Sequence, residues 1–196
     1  MNVRRAGVVL LSLMLACSFL SLAQEQRNAE TGVEERLSGF AARLRLSISL
    51  ASFAVYAPSL GDLHLHAQQI VNALEGSAGP HFVRAEANEE IRGLRPDVAD
   101  LIDWFGDNVE EGETKLRIAA ATRNIATYLE LALESALQAL RLRRLDEATA
   151  QMLKVYAFLA AAYERPSETP HVPGLWTILR QYSLAESEAG LNADQG

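Results

Sequence analysis

The chain has 196 residues, with 18 Lys and Arg against 25 Asp and Glu and a formal net charge of −7. This acidic balance argues against a nucleic-acid-binding protein, because such proteins need a basic face to neutralise phosphates. The single cysteine excludes an internal disulfide framework and any metal site built from several thiolates. With 49% hydrophobic residues, the chain has enough apolar material for one domain with a buried core.

The first 23 residues have the pattern of an export signal. Arg4 and Arg5 form a short basic segment, an apolar run follows over residues 6–15, and Ser21-Leu22-Ala23 supplies the small residues that a signal peptidase requires. We therefore expect residues 1–23 to be removed and the mature protein to be periplasmic or extracellular. We expect no membrane span in the mature chain.

Two alternatives to cleavage after Ala23 stay open. The sequence Leu13-Met14-Leu15-Ala16-Cys17 partly matches a bacterial lipobox, in which Cys17 is lipidated and anchors a lipoprotein. An uncleaved leader would instead act as an N-terminal anchor, although its apolar run is short for a membrane span. Because cleavage removes Cys17 and lipidation uses it, this residue bears on location and not on chemistry.

The first predicted helix covers about residues 31–57. Apolar residues recur in it at spacings of three and four, which indicates one buried stripe: Val33, Leu37, Phe40, Leu44, Ile48, Ala51 and Val55. Beyond Arg45 a second face is also apolar, with Leu46, Leu50 and Phe53. We expect that half of the helix to be buried on more than one side, either in the core or against a partner.

Three more helices and two shorter pieces follow in the sequence. The second helix is predicted at residues 62–74, with Asp62 as its N-cap and Gly76 as its stop. An irregular acidic connection follows at residues 77–113, with a short helix at residues 96–105. The third helix is predicted at residues 113–144, and the fourth begins at its cap, Asp146. A final amphipathic piece is predicted at residues 175–182.

These elements predict an all-α protein, because no stretch alternates with the period of a strand. The expected architecture is a four-helix bundle, with a longer acidic connection between helices two and three and a short C-terminal helix. The bundle domain would span residues 24–186, and residues 187–196 would form a flexible tail.

The acidic connection places four aspartates on one helix face: Asp97, Asp100, Asp103 and Asp107. Such a face could attract calcium or a basic partner. Its spacing does not match a calcium-binding loop, in which Asp or Asn alternates with other residues around a central Gly. We therefore expect a solvated acidic face.

The densest group of unusual residues is a candidate polar site on and after the second helix: His64, His66, Asn72, Glu75 and His81. Histidines suggest a transition metal, but residues two apart on a helix point about 200° apart, which weakens the case for His64 and His66 as ligands of one ion. A haem held between His66 and Met152 is a related alternative. We expect no cofactor, and we expect His66 to be a hydrogen-bonded residue at the core edge.

Residues 65–76 contain a His66-Ala67 pair, then Asn72, and end at Glu75-Gly76. This stretch resembles a helix of uncharacterised secreted bacterial helical proteins. The resemblance covers about a dozen residues. It implies that His66 and Asn72 do more than pack, and it implies no particular activity.

Catalytic motifs are missing from the sequence. It has no Gly-x-Ser-x-Gly elbow, no phosphate-binding Gly-rich loop, no His-Glu-x-x-His and no paired Glu-x-x-His units. The sequence therefore favours an exported, noncatalytic helical bundle that binds a protein partner or a small ligand in the cell envelope, and an oligomer is compatible with this. The alternative is a metal- or haem-binding bundle centred on His66.

Overall fold

The computed structural model describes residues 32–84, 91–163 and 173–181. Contacts divide the chain into two units, Met1–Ser38 and Gly39–Gly196. Of the first unit, the structure describes residues 32–38, which are helical and in which Val33 and Leu37 are buried. The predictions for the leader and Cys17, and that for the tail at residues 187–196, lie outside the described residues.

The described ranges contain six helices and no strand, which confirms the predicted all-α class. They are α1 (residues 32–55), α2 (Leu60–Glu75), α3 (Leu94–Asn108), α4 (Glu113–Arg141), α5 (Leu145–Tyr163) and α6 (Leu175–Gln181). In this part of the chain, none of the helices combines the length and the apolar character needed to cross a bilayer.

Helix α4 is the centre of the second unit. It contacts α2, α3, α5 and α6, and its contact with α5 is the most extensive. The sequence predicts an apolar stripe that ends at Leu140; the structure buries it at Ile118, Ile125, Leu129, Leu133 and Ala136 and leaves Leu140 half-buried. Each large side chain removed from water in this way contributes about 1.5–3 kcal/mol to folding.

Helix α2 begins differently from the prediction. Its N-cap is Ser59, whose Oγ accepts a hydrogen bond from the Asp62 backbone N–H at 3.2 Å and donates one to Asp62 Oδ2 at 2.6 Å. The prediction that Asp62 itself is the cap was wrong. Ser59 has the extended backbone typical of a cap residue, with φ −139° and ψ 158°.

The predicted short helix in the acidic connection is 15 residues long, and it packs against α4 and α2. Pro96 lies in its first turn, as expected, because a first-turn N–H has no helical partner to lose. The connection between α2 and α4 is therefore in large part a packed helix. Leu94, Val98, Leu101 and Phe105 are its buried stripe.

The turn between α4 and α5 is also corrected by the structure. Helix α4 ends at Arg141, and α5 begins at Leu145, so Asp146 lies inside the first turn and is not the cap. Arg144 Nη2 donates to Asp146 Oδ2 at 2.8 Å. This hydrogen bond is the main reason that the pKa of Asp146 is lowered and that of Arg144 is raised.

The acidic face of α3 is only partly solvated. Asp97 is 13% exposed, because it forms ion pairs with Arg43 of α1 and with Arg92, whose Nε lies 2.5 Å from Asp97 Oδ1. Arg92 also pairs with Asp100. Asp103 and Asp107 are exposed, as the sequence predicted for the whole face. The first two aspartates therefore hold neighbouring segments together.

Candidate functional site

The polar side of α2 faces the segment that follows it. Gln68, Asn72 and Glu75 are spaced by four and three residues, so they share one side of the helix. All three hydrogen-bond to residues 81–83. Gln68 was not among the predicted site residues, although its spacing of four from Asn72 could have suggested it.

Asn72 binds both the backbone carbonyl oxygen and the backbone N–H of Val83. Its Nδ2 donates to the Val83 carbonyl oxygen at 2.7 Å, and its Oδ1 accepts the Val83 N–H at 3.0 Å. Gln68 Nε2 donates to Asn72 Oδ1 at 3.0 Å and to the His81 carbonyl oxygen at 2.9 Å. The two amides together pair with the backbone much as a neighbouring strand would.

Glu75 is a buried carboxylate whose side chain is only 2% exposed. Its Oε1 lies 2.8 Å from His81 Nδ1, and its Oε2 accepts the His81 backbone N–H at 2.9 Å. A buried carboxylate without partners is costly, so both contacts compensate its removal from water. The side chain of His81 stays 46% exposed.

Two glycines, Gly76 and Gly93, allow close backbone approach where the chain leaves α2 and where it enters α3. We call this close approach the crossing. Gly76 ends α2 with φ 74°, a conformation that favours glycine, and it forms an isolated bridge with Arg92. A Cβ on Gly93 would lie 2.3 Å from the Glu75 carbonyl carbon. Beside this crossing, Ser77 N–H donates to the Ile91 carbonyl oxygen and Ile91 N–H donates to Ser77 Oγ, both at 2.8 Å.

The structure brings Asn72, Glu75 and His81 together and places the other two predicted site residues elsewhere. His64 Nε2 lies 3.1 Å from the Ala139 carbonyl oxygen of α4. His66 Nδ1 lies 3.1 Å from Gln69 Oε1, and its ring lies 6.0 Å from that of Phe53 in α1. The divergence of the two histidines follows from their spacing of two.

The described residues do not form a ready metal centre. Among them, no three His, Cys, Asp or Glu side chains are grouped so that they could hold a metal ion. Met152, the other suggested haem ligand, is fully buried in the apolar stripe of α5. The residues around His66 therefore do not fit the metal site that the sequence suggested as an alternative.

A cleft of about 420 Å³ lies beside the buried carboxylate, lined by Glu75, Ala78, Gly79, Pro80, Arg95, Pro96, Ala99 and Glu130. Its charged groups have partners within the chain. Arg95 Nε donates to Glu130 Oε1 at 2.7 Å, and Glu75 contacts His81. A ligand in this cleft would have to compete with these pairs.

A second surface, at the end of α1, keeps several large apolar side chains exposed among the described residues. Leu46 of α1 is 59% exposed and Phe53 is 60% exposed, while Leu50 is half-buried; Tyr56, directly after the helix, is 84% exposed. We call these four residues the outer face of α1. The sequence left open whether this second face is buried in the core or against a partner; in the described part of the chain, Leu46 and Phe53 are not in the core. Tyr56 lay within the predicted helix but was not assigned to its second apolar face. In the structure it follows α1 directly, and its N–H donates to the Ser52 carbonyl oxygen at 3.2 Å.

Two surfaces are therefore candidates for function, the polar cluster on α2 and the outer face of α1. The polar cluster satisfies its groups within the chain, whereas the outer face does not bury its side chains. Comparison of the chain with protein-family models, with curated proteins and with solved structures finds no match.

Proposed function

We propose that this chain is an exported, noncatalytic helical protein that binds a protein partner through the outer face of α1. One observation carries the proposal: Leu46 and Phe53 of α1, and Tyr56 directly after it, are each more than half exposed. Apolar side chains grouped in this way are typical of protein interaction sites.

The size of the outer face supports binding. From the exposed fractions of Leu46, Phe53 and Tyr56 and the usual areas of such side chains, the face presents roughly 400 Å². At about 25 cal/mol per Å², its burial would contribute on the order of 10 kcal/mol before the costs of association. Those costs are of comparable size, so this area suits a reversible complex.

Other large apolar side chains are exposed on several elements: Leu65, Val83, Ile91, Ile102, Leu116, Leu153 and Tyr156. Leu116 of α4 is 71% exposed, but the residues three and four positions away from it are small or charged. Leu153 and Tyr156 of α5 are 52% and 42% exposed and lie three positions apart. Single exposed apolar residues are normal on protein surfaces, so Leu116 supplies a matched control for the outer face.

A noncatalytic role is supported by the structural task of the polar groups on α2, which are taken up by hydrogen bonds within the chain. Gln68, Asn72 and Glu75 each hydrogen-bond to the segment at residues 81–83. They fix the path of the chain between α2 and α3.

We further propose that α1, α2, α4 and α5 are the four long members of a helical bundle, with α3 and α6 packed against it. Its support is that α2, α4 and α5 contact one another, and that the stripe of α1 in the second unit is buried at Phe40, Leu44 and Ala51. In such a bundle the side of α1 away from its stripe faces outward.

Export remains a proposal from the leader sequence, with its basic start and its small residues before Gln24. A periplasmic or extracellular location, or lipidation at Cys17, would each leave the outer face available. The intact mass of protein from the native host separates these cases, because cleavage gives a chain that begins at Gln24 and lipidation gives one that begins at acylated Cys17.

Site-specific crosslinking in the native host tests the binding proposal. A photoreactive amino acid replaces Phe53 in the full-length gene, and the same residue replaces Leu116 as the control. We expect an adduct of defined mass from position 53 only, with the partner identified by mass spectrometry. No adduct from position 53, or equal adducts from both positions, would contradict the proposed function.

A further inference from the structure

The outer face of α1 belongs to a longer seam with coiled-coil spacing. Its positions are separated by three, four, three, four and three residues: Gly39, Ala42, Leu46, Ser49, Phe53 and Tyr56. All six residues are exposed. This alternation of three and four keeps side chains on one side of a helix and is the pattern by which a second helix is bound. The spacing therefore indicates that the partner presents a helix.

The sizes of the seam residues make the seam complementary to a second copy of itself. If a second copy of α1 runs antiparallel, with the two-fold axis between Ser47 and Ile48, residues whose numbers add to 95 lie opposite one another. The opposed pairs are then Gly39 with Tyr56, Ala42 with Phe53, and Leu46 with Ser49. Each large side chain thus lies opposite a small residue.

We propose that the partner of this face is a second copy of the chain, paired antiparallel along α1 in this register. The inference rests on the proposed function, because it names the partner of the same surface. An interface formed by the same patch on both copies is the usual arrangement of two-fold dimers. The large side chains of each copy fill the space above the small residues of the other.

A parallel pair is a poorer fit. In parallel register each residue meets its own copy, so Phe53 would meet Phe53 and Ser49 would meet Ser49. Large residues would then lie against large ones at positions 53 and 56, while the space between the two copies of Gly39 and of Ala42 would be left unfilled. Close packing disfavours both arrangements.

Charge is consistent with the antiparallel register. The seam itself contains no charged residue, and the charged residues of α1 within its span are Arg43 and Arg45 at its flanks. In this register Arg45 lies across from Leu50 and Arg43 from Ser52, so neither arginine is directly opposite its own copy. Charges placed at the rim rather than the centre are typical of protein interfaces.

The available area indicates a weak dimer. The three large side chains of each copy supply roughly 400 Å², and the small seam residues and flanks bring the total for two copies to about 1,000 Å². This total lies at the lower limit of specific interfaces. The seam covers residues 39–56, a length of about 27 Å at 1.5 Å per residue. We therefore expect a dissociation constant in the micromolar range.

Sedimentation equilibrium measures this dimer in protein expressed from the full-length sequence and purified, at about 1 to 500 µM. We expect a monomer–dimer equilibrium in the unaltered protein. Leu46→Asp should weaken it at least about 100-fold, because it places two carboxylates within the seam. Leu116→Asp is the control and should leave the equilibrium unchanged. Circular dichroism checks that both variants keep their helical content.

A size exchange tests the register. Ala42→Phe should weaken the dimer at least about tenfold, because its ring would meet Phe53 of the other copy. The double variant Ala42→Phe with Phe53→Ala exchanges large and small and should restore the dimer. Because both positions are exposed, neither change removes core packing.

Each outcome decides the proposal. A protein that stays monomeric at about 500 µM, or a dimer that Leu46→Asp leaves intact, overturns it. Failure of the double variant to restore the dimer overturns the antiparallel register. If crosslinking from position 53 gives an adduct with a different protein while the purified chain is monomeric, the proposed function stands and the second copy is excluded. If neither experiment shows association, both are wrong.

Discussion

The crossing of Gly76 and Gly93 makes a prediction whose size can be worked from the structure. In Gly93→Ala the new Cβ would lie 2.3 Å from the Glu75 carbonyl carbon and 2.6 Å from the Gly76 nitrogen. Both contacts are backbone atoms, so relief requires the two chain segments to separate by about 1 Å. The neighbouring hydrogen bonds between Ser77 and Ile91, both 2.8 Å, would be lost or stretched.

Each of those hydrogen bonds is worth about 0.5–1.5 kcal/mol, and the residual overlap adds to their loss. We therefore expect Gly93→Ala to lower the free energy of unfolding by about 2–4 kcal/mol, which corresponds to a fall in Tm of about 5–15 °C.

The assay is thermal and urea unfolding followed by circular dichroism, with Gly106→Ala as the matched control. A Cβ at Gly106 in α3 meets nothing within 4 Å, so this exchange should raise stability by about 0.5–1 kcal/mol through helix propensity. The same chemical change should thus have opposite signs at two positions. If Gly93→Ala leaves the free energy of unfolding within about 0.5 kcal/mol of the parent, the close crossing does not hold the connection.

Three further predictions concern hydrogen bonds and charge. Asn72→Ala should lower the free energy of unfolding by about 1.5–3 kcal/mol in urea titration, because three hydrogen bonds are lost. The control Gln69→Ala removes only an exposed contact with His66 and should change the free energy of unfolding by less than about 0.5 kcal/mol. Equal effects would contradict the role of Asn72. Ser59→Ala should cost about 1 kcal/mol and Ser59→Asp much less, since an aspartate can still cap α2; a neutral Ser59→Ala would exclude the cap. Arg144→Gln should raise the pKa of Asp146 back toward its ordinary value in an NMR titration, because the arginine hydrogen bond is the main cause of the lowering. Because folding lowers the pKa of Asp146, its carboxylate contributes to stability above the ordinary pKa of aspartate, near 4, and this contribution is lost as the pH falls through the folded pKa. If Arg144→Gln leaves the titration of Asp146 unchanged, the hydrogen bond is not the cause.

Local patterns in the sequence were sufficient for the helices themselves. Apolar spacing of three and four predicted α1, α2, α4 and α5 within a few residues of their ends, because a helix that buries one face must repeat at that spacing. Gly76 was predicted as the stop of α2, and Pro96 was placed in the first turn of α3. The errors at Asp62 and Asp146 arose because several residues near a helix start could cap it, and only the backbone decides among them.

The candidate polar site was predictable only in part. The side chains of Asn72 and Glu75 share a helix side, which the spacing of three shows. That His81 and Val83 return to this side depends on the path of the chain after Gly76, which no local pattern specifies. The sequence likewise could not predict that His64 and His66 have different partners, because the Ala139 carbonyl oxygen and the Phe53 ring belong to other helices.

The sequence by itself determined the helical class, the helix order and the presence of a second apolar face on α1, since these follow from composition and local periodicity. It left open whether that face enters the core. Only the tertiary structure decided this, because burial depends on which helices pack beside α1, and such packing is set by contacts between residues far apart in the chain. The exposed fractions of Leu46, Phe53 and Tyr56 show that the described helices leave most of this face uncovered.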